Sequence, residues 1–288
     1  MTLLTRGASF AVLAILTGIA LQAGVFAIAS WTLEDMHVYL EAARRLRAGG
    51  ELYSTTNPLA AYQYAPWFAT AWIPLTFLPE ALVSVLWSAL LVAGSLVSVW
   101  PLLRRRTTAA LALVLIALPI LLFSSGRSGN VQPLLVAGLV LGLERRWGPL
   151  AIAIAASLKA FPLALSLVYL GRGDWRRFTI SLSLTAILVA PMLLFDLSRY
   201  TVDGPRAGTL FQAAPILWGV VVAAAAGITI LLAQRRSAYA WLAGAATVVL
   251  GLPRTLSYDT TFLLAGSPVK GRGTRNPERD DLTSRRSQ

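Results

Sequence analysis

Few side chains in this sequence could do chemistry. There is no cysteine and one histidine, which excludes disulfides, thiolate catalysis and thiolate-bound metal and leaves too few donors for a histidine-based zinc site. Carboxylates, amides, aromatic rings, arginine and lysine remain. Three of the 13 carboxylates fall in the last 22 residues, and four of the others, Glu34, Asp35, Glu41 and Glu51, crowd into one short polar stretch. Asp35 has the placement of a general base that takes a proton from an acceptor hydroxyl within hydrogen-bonding reach. With Thr32 and Glu34 beside it, it reads equally as the cap of a following helix. Lys159 is the one lysine before residue 270, and it interrupts an apolar block. A cation there costs about 2.5 to 3.5 kcal/mol on insertion scales, which marks a functional site by default. It reads as a point charge for a lipid-linked phosphate, or as a lysine snorkelling from a helix end. Asn130 and Gln132 offer the neutral hydrogen bonding that sugar hydroxyls need, or form a simple turn. Trp31, Tyr39, Tyr53, Tyr62, Tyr64 and Trp67 fall close together, suited to sugar faces or to a belt at the headgroup level. His37 reads as a solvated loop residue.

These groups need a scaffold, and composition says which kind. The chain has 288 residues, 56% hydrophobic and 13% charged, about half the charged share of a soluble domain. Apolar residues come in long blocks, so the expected class is all-α, a polytopic transmembrane bundle of about eight membrane segments. The net charge of +12 comes as arginine clusters at the ends of those blocks. It therefore reads as topology rather than as affinity for nucleic acid. Block 8–31 is long enough for an uncleaved anchor with its N-terminus inside. That places the polar loop 32–65 outside. Within the loop, Val38, Tyr39, Ala42, Ala43 and Leu46 recur at helical spacing, predicting an amphipathic helix along the outer interface that stops at Gly49 and Gly50.

Further blocks run 64–79, 81–103, 109–124, 133–143, 150–170, 178–197, 213–233 and 238–252. The first carries Pro66, Pro74 and Pro79 and is expected to be broken, tilted or re-entrant. The string from Ser124 to Gln132 should face the loop 32–65. The block 150–170 is interrupted at Lys159-Ala160-Phe161-Pro162, as two half-helices or as one kinked span. Residues 1–266 thus form one membrane-embedded domain. Residues 267–288, with nine charges, read as a polar, disordered tail.

The order of motifs resembles glycosyltransferase family 87. It is carried by Asp35 and Tyr39, Arg45-Leu46, Gly49, Leu52-Tyr53 and Tyr64-Ala65-Pro66, then by Gly129-Asn130-Val131-Gln132-Pro133. The segment Ser157-Leu158-Lys159-Ala160-Phe161-Pro162 resembles the family's Lys-x-x-Pro element, and Leu256-Ser257-Tyr258-Asp259 its late Tyr-Asp element. The resemblance implies a GT-C type bundle in the cell membrane, plasma or inner, with its active site on the non-cytoplasmic face. It implies transfer of a sugar, most often mannose, from a polyprenyl-phosphate donor to a glycolipid or glycan acceptor, with inversion and no cofactor. On that pattern Asp35 is the base and Lys159, with Arg127, neutralises the departing phosphate. Tyr39, Tyr64, Asn130, Gln132 and Tyr258 line the sugar and acceptor pocket. The string before Pro133 departs from the commoner Gly-Gln, with Arg127 set before it. Family members continue with further spans after the Tyr-Asp element, whereas apolar character here ends near Gly266, so a C-terminally truncated form is expected. A transporter or flippase of lipid-linked intermediates, or an inactive truncated relative, are the competing readings.

Overall fold

The computed structural model describes residues 18, 22, 31–53, 61–104, 107–198, 200, 210–253 and 256–268. Most of the expected first span, most of the tail and parts of loops 32–65 and 198–212 lie outside the described residues. Among those described, all regular structure is helical.

Helix α1, Glu34–Arg47, is the amphipathic helix of the polar loop, with Met36, Tyr39, Leu40, Ala42 and Ala43 buried. Glu34 and Asp35 in its first turn and Arg44, Arg45 and Arg47 in its last match the helix macrodipole at both ends. It stops where expected: Gly49 lies at φ 73°, and the Gly50 amide reaches back to the Arg45 carbonyl at 2.9 Å. Its apolar face is covered by protein, packing on α2 (Pro66–Trp72) and the 3₁₀ turn Ile73–Phe77. That pair is the proline-broken segment, and Pro79 stands immediately before α3, Glu80–Leu103. Glu80 holds α1 from the other side, 3.0 Å from His37 Nε2 and 3.1 Å from Arg44. His37 is therefore a helix residue with two fixed partners, since its Nδ1 also meets the Leu33 carbonyl at 2.9 Å. It is exposed, as expected, but it lies on a helix and not in a loop.

The remaining helices run between two ends of a bundle. Helix α4, Thr108–Ser128, returns beside α3 and carries the first five residues of the expected polar string at its C-terminal end. After Gly129, α5 (Gln132–Gly142) runs back down. Helix α6, Gly148–Lys159, rises and breaks at Ala160, where φ is 52°. The chain then returns as the 3₁₀ turn Phe161–Leu165 and α7, Ser166–Gly171. Two short arms therefore meet at Lys159, as the proline three residues on demands. The 12 residues of α6 span about 18 Å against a hydrocarbon core of about 30 Å. Helix α8, Trp175–Val189, with the 3₁₀ turn Ala190–Leu194, rises again. After the short α9, Leu210–Ala213, come α10, Pro215–Gln234, and α11, Ala240–Gly251. Helices α10 and α11 are tied inside the bundle by the Thr229 and Thr247 hydroxyls, 3.0 Å apart.

Among the described residues three stretches, Glu80–Leu103, Trp175–Leu194 and Pro215–Gln234, are long and apolar enough to cross a membrane. Five further apolar stretches, Thr108–Phe123, Gln132–Gly142, Gly148–Lys159, Phe161–Gly171 and Ala240–Gly251, are shorter, 10 to 17 residues. Ile216, Leu193 and Leu194 are each more than four-fifths exposed, an exterior suited to lipid tails and not to water. A final 3₁₀ segment, Ser257–Gly266, lies beyond the last expected span. It is packed inward against α11, α5 and α4, with Asp259, Thr261, Phe262 and Leu264 buried.

Candidate functional site

One end of the bundle gathers most of the candidate residues. The link between α4 and α5 is the pivot. Gly129 takes φ 69°, and a Cβ there would stand 3.1 to 3.2 Å from Leu33 and Met36, so only glycine fits between the link and α1. Its carbonyl accepts from the Trp87 indole at 2.7 Å. This fixes Asn130, which is 2% exposed, in one orientation. The Asn130 Oδ1 accepts from the Gln132 amide at 2.9 Å, closing the turn, while its Nδ2 donates to Asp35 Oδ2 at 2.7 Å. The turn and the site are thus one arrangement.

Asp35 does not cap α1. The residue before the helix is Leu33 at φ 51°, with no side-chain cap, and the Asp35 carboxylate reaches across to the α4–α5 link. Both of its hydrogen-bond donors, Asn130 and Ser128, are neutral. Burial raises the Asp35 carboxyl above the ordinary aspartate value, against the lowering effect of those two bonds and of the Lys159 charge. A carboxylate held this way is a stronger base than a solvated one.

Tyr39 and Tyr64 continue the chain of contacts. Tyr39 is fully buried, accepts from the Val131 amide at 3.4 Å and donates to the Tyr64 hydroxyl at 3.2 Å. Asn130 Nδ2 lies 3.4 Å from the same hydroxyl. Tyr64 therefore accepts twice, and its own O–H is left as a donor for whatever enters beside it. Burial and the nearby Asp35 and Asp259 charges push its phenol well up, so it stays a donor. The rings around Tyr39 (Tyr64, Phe68, Trp72, Trp87) meet edge to face at centroid distances of 5.0 to 6.1 Å. Each such contact adds about 0.5 to 1.5 kcal/mol beyond area burial. Tyr53 and Tyr62 are buried as well and donate to the backbone carbonyls of Tyr64 and Ala65. These loop aromatics build a rigid wall.

The opposite wall is the α6 break. Lys159 Nζ is 3.1 Å from Asp259 Oδ1, with the two side chains 12% and 6% exposed, and lies 4.4 Å from the centre of the Tyr258 ring. The other Asp259 oxygen accepts from the Leu256 amide at 2.9 Å. Lys159 is thus turned inward and does not snorkel. Beside this wall lies a cavity of about 370 Å³, whose lining includes Tyr64, Ser157, Lys159, Tyr258 and Asp259, with Val189, Met192 and Leu252 on its apolar side. Asp35, Tyr39 and Asn130 lie outside the lining and are joined to it through the Tyr64 hydroxyl. Trp67 is held at this wall by its indole bond to Ser157, 3.1 Å.

Gln132 stands behind the cavity, fully buried, with Nε2 3.3 Å from Thr261 and 3.4 Å from the Tyr258 carbonyl. It braces the Tyr258 backbone from outside the lining. Arg127 also lies outside that lining: its side chain is exposed and its carbonyl accepts from the Thr32 hydroxyl. Asp259, named in the sequence only as part of the late Tyr-Asp element, and Ser128, named only within its polar string, are the functional candidates to which sequence reasoning gave no role. Asp259 had a signal, since a lone carboxylate beyond one apolar block is the natural partner of a lone lysine within another. Ser128 had none, because any of several serines in its string could have turned inward. Among the described residues no group of three acidic or histidine side chains could hold a metal ion.

The family model of glycosyltransferase family 87 matches residues 62–202. That interval contains Tyr64, Arg127, Asn130, Gln132 and Lys159, while Asp35, Tyr39, Tyr258 and Asp259 lie on either side of it. No curated protein and no solved structure shows a significant match to the chain.

Proposed function

Because the chain belongs to glycosyltransferase family 87, we propose that it transfers a sugar, mannose in the first instance, from a polyprenyl-phosphate donor to a hydroxyl of a lipid or glycan acceptor. The observation that supports this reading is the cavity lined by Tyr64, Tyr258 and the Lys159–Asp259 pair, to which Asp35 is joined through Asn130 and Tyr64. The acceptor oxygen attacks the anomeric carbon from the face opposite the phosphate, the bond from that carbon to the phosphate oxygen breaks, and Asp35 takes the acceptor proton. The configuration inverts, and polyprenyl phosphate leaves. Lys159 faces the developing phosphate charge, which is where a fixed cation lowers the barrier most. Asp259 and the Tyr258 ring hold that ammonium in place. Tyr64 and Asn130 meet sugar or acceptor hydroxyls, with Tyr39 and Gln132 as their supports. The lipid tail lies against the apolar side near Val189 and Met192. Arg127 contributes to phosphate neutralisation from the rim.

The reaction belongs on the non-cytoplasmic face of the cell membrane, because the arginine-rich turns lie at the opposite end of the bundle. The test uses membranes containing the protein, a panel of polyprenyl-phosphate sugars and a lipid acceptor. Sugar should appear on the acceptor, and an Asp35→Asn form expressed to the same level should lose it. Transfer undiminished in Asp35→Asn sinks the base assignment; no transfer with any donor sinks the reading.

One observation favours a second reading. Half-helices that meet at a charged residue are a feature of transporters, and α6 and α7 meet at Lys159. Binding of the polyprenyl lipid and its movement across vesicles, without turnover, would favour a flippase.

A further inference from the structure

The end of the bundle away from the cavity is a separate surface. It is formed by three turns, 143–147, 172–174 and 235–239, that are tied together. Arg172 lies 3.0 Å from Glu144 Oε1, and the Trp241 indole donates to the same oxygen. A Cβ on Gly171 would touch Ala233 and the Ile230 carbonyl at 2.6 to 2.7 Å. The two carboxylates of these turns are already engaged, Glu144 by Arg172 and Asp174 by Arg177 at 3.3 Å. Five more arginines, Arg145, Arg146, Arg176, Arg235 and Arg236, are exposed there and make no ion pair among the described residues.

Helix stability accounts for the charge of only two of them, Arg235 and Arg236 at the C-terminal end of α10. Arg145 and Arg146 precede the N-terminus of α6, and Arg176 lies in the first turn of α8. Cations at those places oppose the macrodipole. Arg236 takes φ 50° at the end of α10, where its amide bonds to the Ala233 carbonyl and that of Ser237 to Leu232, a position glycine ordinarily fills. Three aromatic side chains stand out among the arginines: Trp147, Trp175 and Tyr239 are 39%, 62% and 67% exposed. Amphipathic rings interleaved with guanidinium groups suit the headgroup layer, where one end of a ring is apolar and the other wet.

We infer that this end is a docking surface for acidic phospholipid headgroups, with the arginines binding phosphate and the three rings seated at the level of the acyl boundary. Guanidinium groups match phosphate oxygens in pairs, and a polybasic surface attracts an anionic leaflet by about 1 kcal/mol per cation, about fivefold in binding. The inference does not depend on the sugar-transfer reading, because it concerns the opposite end of the molecule.

The experiment places the purified full chain in mixed micelles holding equal amounts of phosphatidylglycerol and phosphatidylcholine, and counts retained lipids by native mass spectrometry. The wild-type protein should retain phosphatidylglycerol preferentially, and the preference should fall steeply as salt is raised, since exposed charges are screened over about 10 Å at 0.1 M. A form with all five exposed arginines changed to glutamine should lose the preference by tenfold or more. Its melting temperature in phosphatidylcholine reports whether it folds, and the wild-type salt titration decides the matter if it does not. Equal retention of the two lipids, a preference indifferent to salt, or a preference kept by the folded five-arginine variant would overturn the inference. So would binding of RNA or polyglutamate in place of phosphatidylglycerol.

Discussion

Two carboxylates at the same end of the bundle are held in opposite ways. Asp259 lines the cavity, and Asp35 lies outside its lining, joined to Tyr64 through Asn130. Asp259 is bound by an ammonium and a backbone amide and is 4% exposed. Asp35 is bound by an amide and a hydroxyl, both neutral. The ammonium and the backbone amide tie both oxygens of Asp259 into the wall, whereas burial among neutral donors raises the Asp35 carboxyl. On the proposed reading the same functional group is a brace in one place and a base in the other. The environment decides, since nothing in the side chains differs.

The largest effect that would sharpen this contrast is on chemistry. Asp35→Asn keeps the shape and removes the proton acceptor, so sugar transfer should fall about 10²- to 10⁴-fold at unchanged expression. Next comes Asp259→Asn, which strands a buried cation: the folded state should lose about 3 to 5 kcal/mol, read as a lower melting temperature in detergent. Restoring apolar balance with Lys159→Met and Asp259→Leu together should recover much of that stability while leaving transfer low. If the double replacement also restored transfer, the phosphate role of Lys159 would fail.

A smaller effect concerns pH. Because burial raises the Asp35 carboxyl, the acid limb of the transfer rate should lie above the ordinary aspartate value of about 3.9. Removing the Asn130 hydrogen bond with Asn130→Leu should move the limb upward again, by about half to one pH unit. The sign for stability is opposite to that of a salt-bridged carboxylate. Asp35 binds its proton more tightly folded than unfolded, so its contribution is fully present below the unfolded value and is lost as pH rises through the folded one. The smallest effect is expected for Tyr64→Phe, which removes one donor and should cost about 2- to 12-fold in transfer. No change at all would place Tyr64 outside substrate reach.

Much of the scaffold was legible because its signals are local. The stop of α1 at Gly49, the proline-broken segment 66–77 and the break at Ala160 follow from residues whose backbone preferences do not depend on distant partners. Two local readings were overturned by distant contacts. Asp35 fits a helix cap in sequence, but the link at Gly129 brings Asn130 to it. His37 fits a loop, but it lies on α1 opposite Glu80. The aromatic residues were compatible with a lipid belt, yet packing turned Tyr39, Tyr53 and Tyr62 inward. Segment 257–266, hidden beyond the last long apolar block, proved to be part of the interior.

By itself the sequence determined the membrane class, the scarcity of groups able to act, and the pairing of Asp35 with Lys159 as the residues most in need of explanation. Hydrophobic blocks and side-chain chemistry are properties of the chain alone. The tertiary structure decided what each group contacts: that Lys159 is matched by a carboxylate 100 positions away, that Asp35 has neutral donors, and that five arginines from three turns share one surface. Those outcomes depend on which helix ends meet, and an electrostatic environment is a sum over neighbours that residue order does not reveal.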